Sequence, residues 1–322
     1  MPLEIRPATP ADYPRLCEIV NEVEPEHLQT VADMLEADRQ RDDAYLYGSF
    51  VAVMHGQVVA GADYSQAPGM FHPRKFWLGM GTPRSTWDVG ARDALYVHLR
   101  ATLEPHDPIA LFTSTRENRP HEIAWLEAQG FTEKQRTWEN HLHLENFDPI
   151  AWTVHLERVE RGGYTLKPLS AFEDTPEFRE MLYRCWLECR RDVPRPAAAT
   201  EPSLEQFVKR DFDNPHRLTD GYWVAVAPNG QMVALSAVWK TEETGVLHTG
   251  LTGTASGHRR HGLALALKVK SLEWAKSAGN ARVVTWNEQG NEAMLAINQR
   301  LGFVQRPAWI DYVLQIKEES SA

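Results

Sequence analysis

The chain has 322 residues, 44 of them acidic against 34 Lys plus Arg, a formal charge of −10 and 43% hydrophobic residues. That length suits two globular cores of ordinary size, and the acidic balance excludes the clustered cationic face that nucleic-acid binding needs. No stretch approaches an 18-residue membrane span, the opening MPLEIRPATPADY has no apolar leader region, and Cys17, Cys185 and Cys189 are too few for a disulfide scaffold or a metal cluster. The expectation is a soluble, cytoplasmic protein with buried thiols and no metal.

Two tandem domains are expected, 1–150 and 151–322. The first opens with an extended segment at Ile5 and Arg6 before Pro7, followed by a polar turn and a helical pattern. FVAVMHGQVVAGADYS reads as a hairpin turning at His55 and Gly56. In TPRSTWDVGARDAL, Gly90 precedes an apolar helix, and Gly130 in AWLEAQGF closes a later one. A final strand spans 137–144. The following ENFDPIAWTVHLERVERGG carries enough apolar residues to pack between the domains rather than act as a floppy tether.

The second half repeats this order. Leu166 and Lys167 precede Pro168, a helical pattern runs through MLYRCWLECRR, and YWVAVAPNGQMVALSAVW turns at Asn229 and Gly230. GVLHTGLTGTA reads as a strand that loosens at Gly250 and Gly253. SGHRRHG follows, then a helix with Leu265, Val269 and Leu272 on its apolar face and Lys268, Lys270, Glu273 and Lys276 among its polar positions. ARVVTWN is a strand, NEAMLAINQRLGF a helix closed by Gly302, and WIDYVLQI a terminal strand with Ile310, Tyr312 and Leu314 on one face. Gly90 to Gly130 and Gly262 to Gly302 both span 40 residues, which points to duplication. An insertion in the second copy falls within DVPRPAAATEPSLEQF, a Pro- and Ala-rich loop.

A strand feeding a glycine turn and a helix offers free backbone N–H groups to an anion, and Arg259 and Arg260 can pair with phosphates. HRRHG has neither the GxGxxG spacing of a dinucleotide fold nor the Gly-Lys-Ser/Thr ending of a nucleotide-triphosphate loop. On these residues alone, a solvated basic turn and a phosphate cradle are both open.

Arg259-Arg260-His261-Gly262-Leu263-Ala264, placed after a strand and opening a helix, resembles the Gln/Arg-x-x-Gly-x-Gly/Ala motif of the GCN5-related N-acetyltransferase (GNAT) superfamily. Asn287, Asn291, Met294, Asn298 and Leu301-Gly302-Phe303 resemble the family's second block. The resemblance covers about 164–316, with a weaker copy over about 3–144, and the layout resembles the tandem type that includes mycothiol synthase. It implies an α/β (α+β) fold of two tandem domains, each a central, mostly antiparallel mixed sheet with flanking helices and an acyl-CoA cleft where two strands part. Acetyl-CoA or another acyl-CoA would then lie with its pyrophosphate on Arg259, Arg260, His261, Gly262, Leu263 and Ala264, and its pantetheine arm along Thr252, Gly253 and Thr254. Asn291 and Asn298 would shape the same side. The implied activity is acyl transfer to a primary amine of a small molecule, with a protein amine as a further option and no nucleic-acid or membrane partner, by a monomer or homodimer.

Amine acylation needs a base for the amine and a proton for the leaving sulfur. His248 stands where some relatives supply the base; Glu242 and Glu243 are nearby alternatives. Asn298 departs from the family, which often has a proton-donating tyrosine there; an amide is no proton source. Tyr312 is the candidate substitute. The first copy departs further: Trp87-Asp88-Val89-Gly90-Ala91-Arg92 is a bulky turn, which implies a scaffold or substrate wall with weakened or altered cofactor binding. Trp186, Trp223 and Trp239 can wall the acceptor, and the segment 193–205 can cover its entrance. An acyl-CoA-binding or regulatory module without turnover is the competing expectation.

Overall fold

A computed structural model describes residues 3–25, 27–191, 193–194, 196 and 198–318. The first half runs β1 (Glu4–Pro7), α1 (Tyr13–Val23), α2 (Val31–Gln40), β2 (Tyr47–Met54), β3 (Gln57–Ser65), β4 (Lys75–Gly81), α3 (Ala91–Leu103), β5 (Ala110–Arg116), α4 (Pro120–Ala128) and β6 (Thr132–His143). A connecting helix α5 (Thr153–Arg161) leads to β7 (Thr165–Pro168), α6 (Pro176–Arg190), α7 (Leu204–Asp211), β8 (Arg217–Val226), β9 (Met232–Lys240) and β10 (Val246–Thr254). The chain continues through α8 (Leu263–Ser277), β11 (Arg282–Glu288), α9 (Glu292–Arg300), β12 (Val304–Gln305) and β13 (Trp309–Gln315).

The local chemistry foreseen from the sequence is in place. His55 and Gly56 both hold positive φ, at 53° and 76°, as a two-residue hairpin turn demands. The duplicated glycine turns share one geometry. Gly90 and Gly262 cap α3 and α8 at φ 74° and 80°, and in each the first intrahelical bond runs to the glycine carbonyl at 3.0 Å.

One sheet runs through both halves in the order β1-β2-β3-β4-β5-β13-β6-β11-β10-β9-β8-β7, with β12 on β6. Neighbours are antiparallel except β4 with β5 and β10 with β11. This is the mixed, mostly antiparallel α/β architecture expected, twice over. The two halves nevertheless trade their last strands. β13, from the end of the chain, lies between β5 and β6. The far end of β6, 137–143, pairs with β11 of the second half. Ile310 and Tyr312 therefore belong to the first core, beside Leu95, Leu99 and Phe131, whereas Leu142, Leu144 and Phe147 belong to the second, beside Val269 and Leu301.

The connector is expected to pack between the domains; its helix α5 instead packs on the second half. Val159 of α5 is buried with Leu263, Ala266 and Leu267 of α8. The insertion ties the halves together: the N–H of Thr200 donates to the Gly69 carbonyl at 3.0 Å, and its Oγ1 accepts from the N–H of Phe71 at 3.0 Å. Its residues Asp192, Arg195 and Ala197 lie outside the described residues. Cys185 and Cys189 are buried on one face of α6, but Cys17 is only half-buried.

Candidate active site

β10 and β11 pair in parallel over three residues, ending at His248 opposite Val284. From there they part. β10 follows β9 through a register shift between Thr249 and Thr252, while β11 follows β6. The shift breaks the ladder, and freed backbone groups must find partners elsewhere. A cavity of about 700 Å³ opens at the split, walled by His248, Thr249 and Thr252 of β10, Thr285 and Trp286 of β11, and Asn291 and Met294 at the head of α9.

Burial, reinforced by nearby His216, holds the His248 pKa below its ordinary value, so the imidazole is neutral at pH 7. Its ring meets Trp286 edge-on at 5.9 Å. Thr252 shares a hydrogen bond with Ser236 at 3.0 Å, which fixes its hydroxyl at the cavity wall. Gly253 and Thr254 lead from the cavity to the turn: Gly253 packs on Cys189, and the Thr254 carbonyl accepts from Arg259 Nε at 3.3 Å.

The turn itself is exposed and cationic. Arg259, Arg260 and His261 face solvent, and Arg260 takes an unusual positive φ of 66° just before Gly262. Leu263 and Ala264 begin α8, whose first-turn amides precede the first intrahelical bond and so point outward. His155 of α5 buttresses the turn from behind, its Nε2 3.0 Å from the Gly262 carbonyl. A methyl group on Gly262 would come within 2.6 Å of that ring. Nothing in the sequence marks His155; only the packing of α5 brings it here.

Asn291 caps α9 through the N–H of Met294 at 3.4 Å and reaches the cavity. Asn298 does not reach it. It is fully buried, donating to Asn287 Oδ1 at 2.6 Å, while Asn140 donates to the same oxygen at 3.1 Å. Tyr312 is corrected outright as a catalytic candidate. Strand exchange places it between β5 and β6, buried in the first core and away from the second-half cavity. Lys268, expected on a polar helix face, is instead buried and looks into the cavity. Trp186 and Trp239 wall the cavity as expected, joined by Glu242, which pairs with His216 at 3.3 Å; Trp223 is not part of the wall.

The first half repeats the split with other residues at the matching positions. Its parallel pair ends at Trp77 opposite Phe112, so a tryptophan holds the position of His248. Arg92, 5% exposed, lies 4.3 Å from both the Trp87 and Trp125 rings, and burial lowers its pKa to about 10. Trp87 anchors this stack by donating to the Thr82 carbonyl at 2.9 Å. The guanidinium is thus buried and stacked between two tryptophans, unlike the solvent-facing Arg259 and Arg260.

Residues 176–303 match the acetyltransferase (GNAT) family profile. No curated protein matches the chain by sequence. Among solved structures, the GCN5-related N-acetyltransferase of Sphaerobacter thermophilus superimposes with a TM-score of 0.77 at 14% identity, covering 99% of this chain and 98% of that one. A tandem GNAT protein from the clavulanic acid biosynthesis pathway gives 0.76 at 19% identity, over 99% and 100% of the two chains. A GCN5-related glucosamine N-acetyltransferase region of a fungal multi-domain β-N-acetylglucosaminidase gives 0.75 at 10% identity, over 97% of this chain and 38% of that one. At these identities the likeness is one of fold, and it runs the length of the chain. The family profile is thus seated on the half that bears the open split and the glycine turn, while the likeness of fold extends over both halves.

Proposed function

We propose that the second half transfers an acyl group, acetyl in the simplest case, from an acyl-CoA to a primary amine of a small molecule by direct attack. The observation that carries this reading is the parting of β10 and β11 at His248, in line with the glycine turn at the head of α8. An anionic pyrophosphate fits the outward amides of 259–264 beside Arg259 and Arg260. A pantetheine arm fits the β10 edge at 252–254, which leads into the cavity. Neutral His248 then takes the proton of the attacking amine.

A cavity of about 700 Å³ suits a small acceptor better than a protein surface, and Trp186, Trp239 and Glu242 in its wall suit an amine on an apolar frame. A protein amine is the less favoured acceptor. The first half serves as scaffold and acceptor wall, and the mycothiol-synthase-like subtype rests on the tandem layout alone. Among the described residues no helix is long and apolar enough to cross a membrane, and no His, Cys, Asp and Glu group has metal-site geometry. We place the protein in the cytoplasm, as a monomer or homodimer without a nucleic-acid partner.

The test is mass spectrometry of an amine-metabolite pool incubated with the protein and acetyl-CoA, beside calorimetric titration of CoA. Acylated product supports the enzyme. Tight CoA binding with no product across the pool supports the second reading, a binding or regulatory module, which the sequestered Asn298 favours.

His248→Gln is expected to lower kcat by roughly 100-fold while leaving CoA affinity unchanged, since general bases contribute about 10²–10⁴. Because the imidazole works only when neutral, and its pKa is lowered, the acid limb of wild-type activity should lie below the ordinary histidine range. A limb at or above that range argues for a different base.

A further inference from the structure

We propose that the Lys268 ammonium group gives its proton to the departing sulfur of the acyl thioester, a task for which Asn298 is unsuited. The inference rests on the acyl-transfer reading above and names a catalytic residue within it.

Lys268 is 2% exposed, yet it forms part of the cavity wall with Thr252 and Thr285, the residues on either side of the strand split. Among the described residues its Nζ makes no hydrogen bond or ion pair, and it lies 5.3 Å from the centre of the Phe303 ring. An unpaired buried ammonium is costly, and most cores replace it with an apolar residue. The duplicated half shows that the fold does not need a lysine there. Six residues beyond Gly262 stands Lys268; six beyond Gly90 stands Tyr96, packed against Trp125 at 5.3 Å in an aromatic core. The lysine therefore accompanies the half with the open cavity, His248 and the cationic turn.

The chemistry balances. The amine nitrogen bonds to the carbonyl carbon, the carbon–sulfur bond breaks, and its electron pair goes to sulfur, which takes the Lys268 proton. The proton shed by the attacking amine leaves through His248, and the Lys268 amine regains one from solvent through the cavity. The products are an amide and free thiol. Burial alone draws the lysine pKa down to about 7, with no charged group of the packed strands or of α9 contributing. A proton passed from such a group to a thiolate of pKa about 8.5 moves downhill.

The experiment compares wild type with Lys268→Met and Lys268→Leu. It measures kcat, KM for acetyl-CoA, CoA binding, the thermal midpoint and the acylation state of Lys268 by peptide mass spectrometry. Both variants should fold with midpoints no lower than wild type, bind CoA within about threefold, and lose roughly 100-fold in kcat. Their rate should also lose the alkaline fall that wild type shows as the ammonium deprotonates. Turnover within threefold of wild type overturns the role. So does unfolding of both variants, which would make the lysine a structural element, or an acyl group on Lys268, which would make it a nucleophile. A wild-type chain that neither binds nor consumes acetyl-CoA overturns the acyltransferase reading, and this role with it; wild-type turnover leaves the variants to judge the lysine alone.

Discussion

Residues 1–150 and 151–322, produced separately, are expected to fail to fold, and to recover a cooperative structure when co-expressed. The cause is the exchange of last strands. The fragment 1–150 lacks β13, so the β5 edge is bare and the first core loses Ile310, Tyr312 and Leu314. The fragment 151–322 lacks β6, the antiparallel partner of β11 along its whole length, and with it Leu142, Leu144 and Phe147. Burying each such side chain is worth about 1.5–3 kcal/mol, so each fragment loses roughly 4–9 kcal/mol. That is comparable to the 5–15 kcal/mol that holds a typical domain together. Bare edges at β5 and β11 would also invite aggregation. Circular dichroism melts and limited proteolysis of each fragment, alone and together, check this. Cooperative melting of 151–322 by itself would show that the exchanged strands are dispensable.

Gly262→Ala should cost far more than Gly90→Ala, although both glycines cap a helix at nearly the same φ. At Gly90 no atom stands within 4 Å of the added methyl, so the cost is the left-handed backbone alone, about 1–2 kcal/mol. At Gly262 the same backbone cost applies, and the methyl also meets the His155 ring at 2.6 Å. Either α5 retreats, giving up the burial of Val159 and the His155 bond to the Gly262 carbonyl, or the turn moves outward with the α8 amides. We expect Gly262→Ala to weaken CoA binding at least tenfold, about 1.4 kcal/mol, and Gly90→Ala to leave it within twofold. Adding His155→Ala to Gly262→Ala should restore part of the thermal midpoint by removing the clash. Calorimetric titration of CoA and thermal unfolding of the three variants give both readings. Equal losses from the two glycine substitutions would refute the asymmetry between the halves.

Two features were legible in the residues for the same reason: each is enforced locally. A glycine at positive φ after a strand marks a helix start whatever surrounds it, so Gly90 and Gly262 disclosed both the repeat and the turn. The contrast between HRRHGLA and WDVGAR is likewise visible in the residues themselves. Arg92, however, turned out to lie between tryptophans, because a guanidinium can stack on aromatic rings as readily as it can meet an anion.

Partner choice was not legible. The alternation of Ile310, Tyr312 and Leu314 fixes which face of β13 is buried, but not which of two similar sheets it joins. The same holds for the far end of β6. Because β13 joins the first half, Tyr312 lies in the first core and not at the second cavity, a placement set by contacts far apart in the chain. Helix faces set the other limit. Lys268 sits among polar positions by pattern, yet it faces inward, since a single helix of 3.6-residue period touches β8, β9 and α5 on several sides. The sequence by itself determined the duplicated elements, the glycine turn and the cationic residues around it, because dihedral preference and charge are properties of short segments. Only the tertiary structure decided which strands were exchanged, that His155 braces Gly262, that Asn298 is sequestered and that Lys268 enters the cavity, because each depends on groups distant in the chain competing for one buried site.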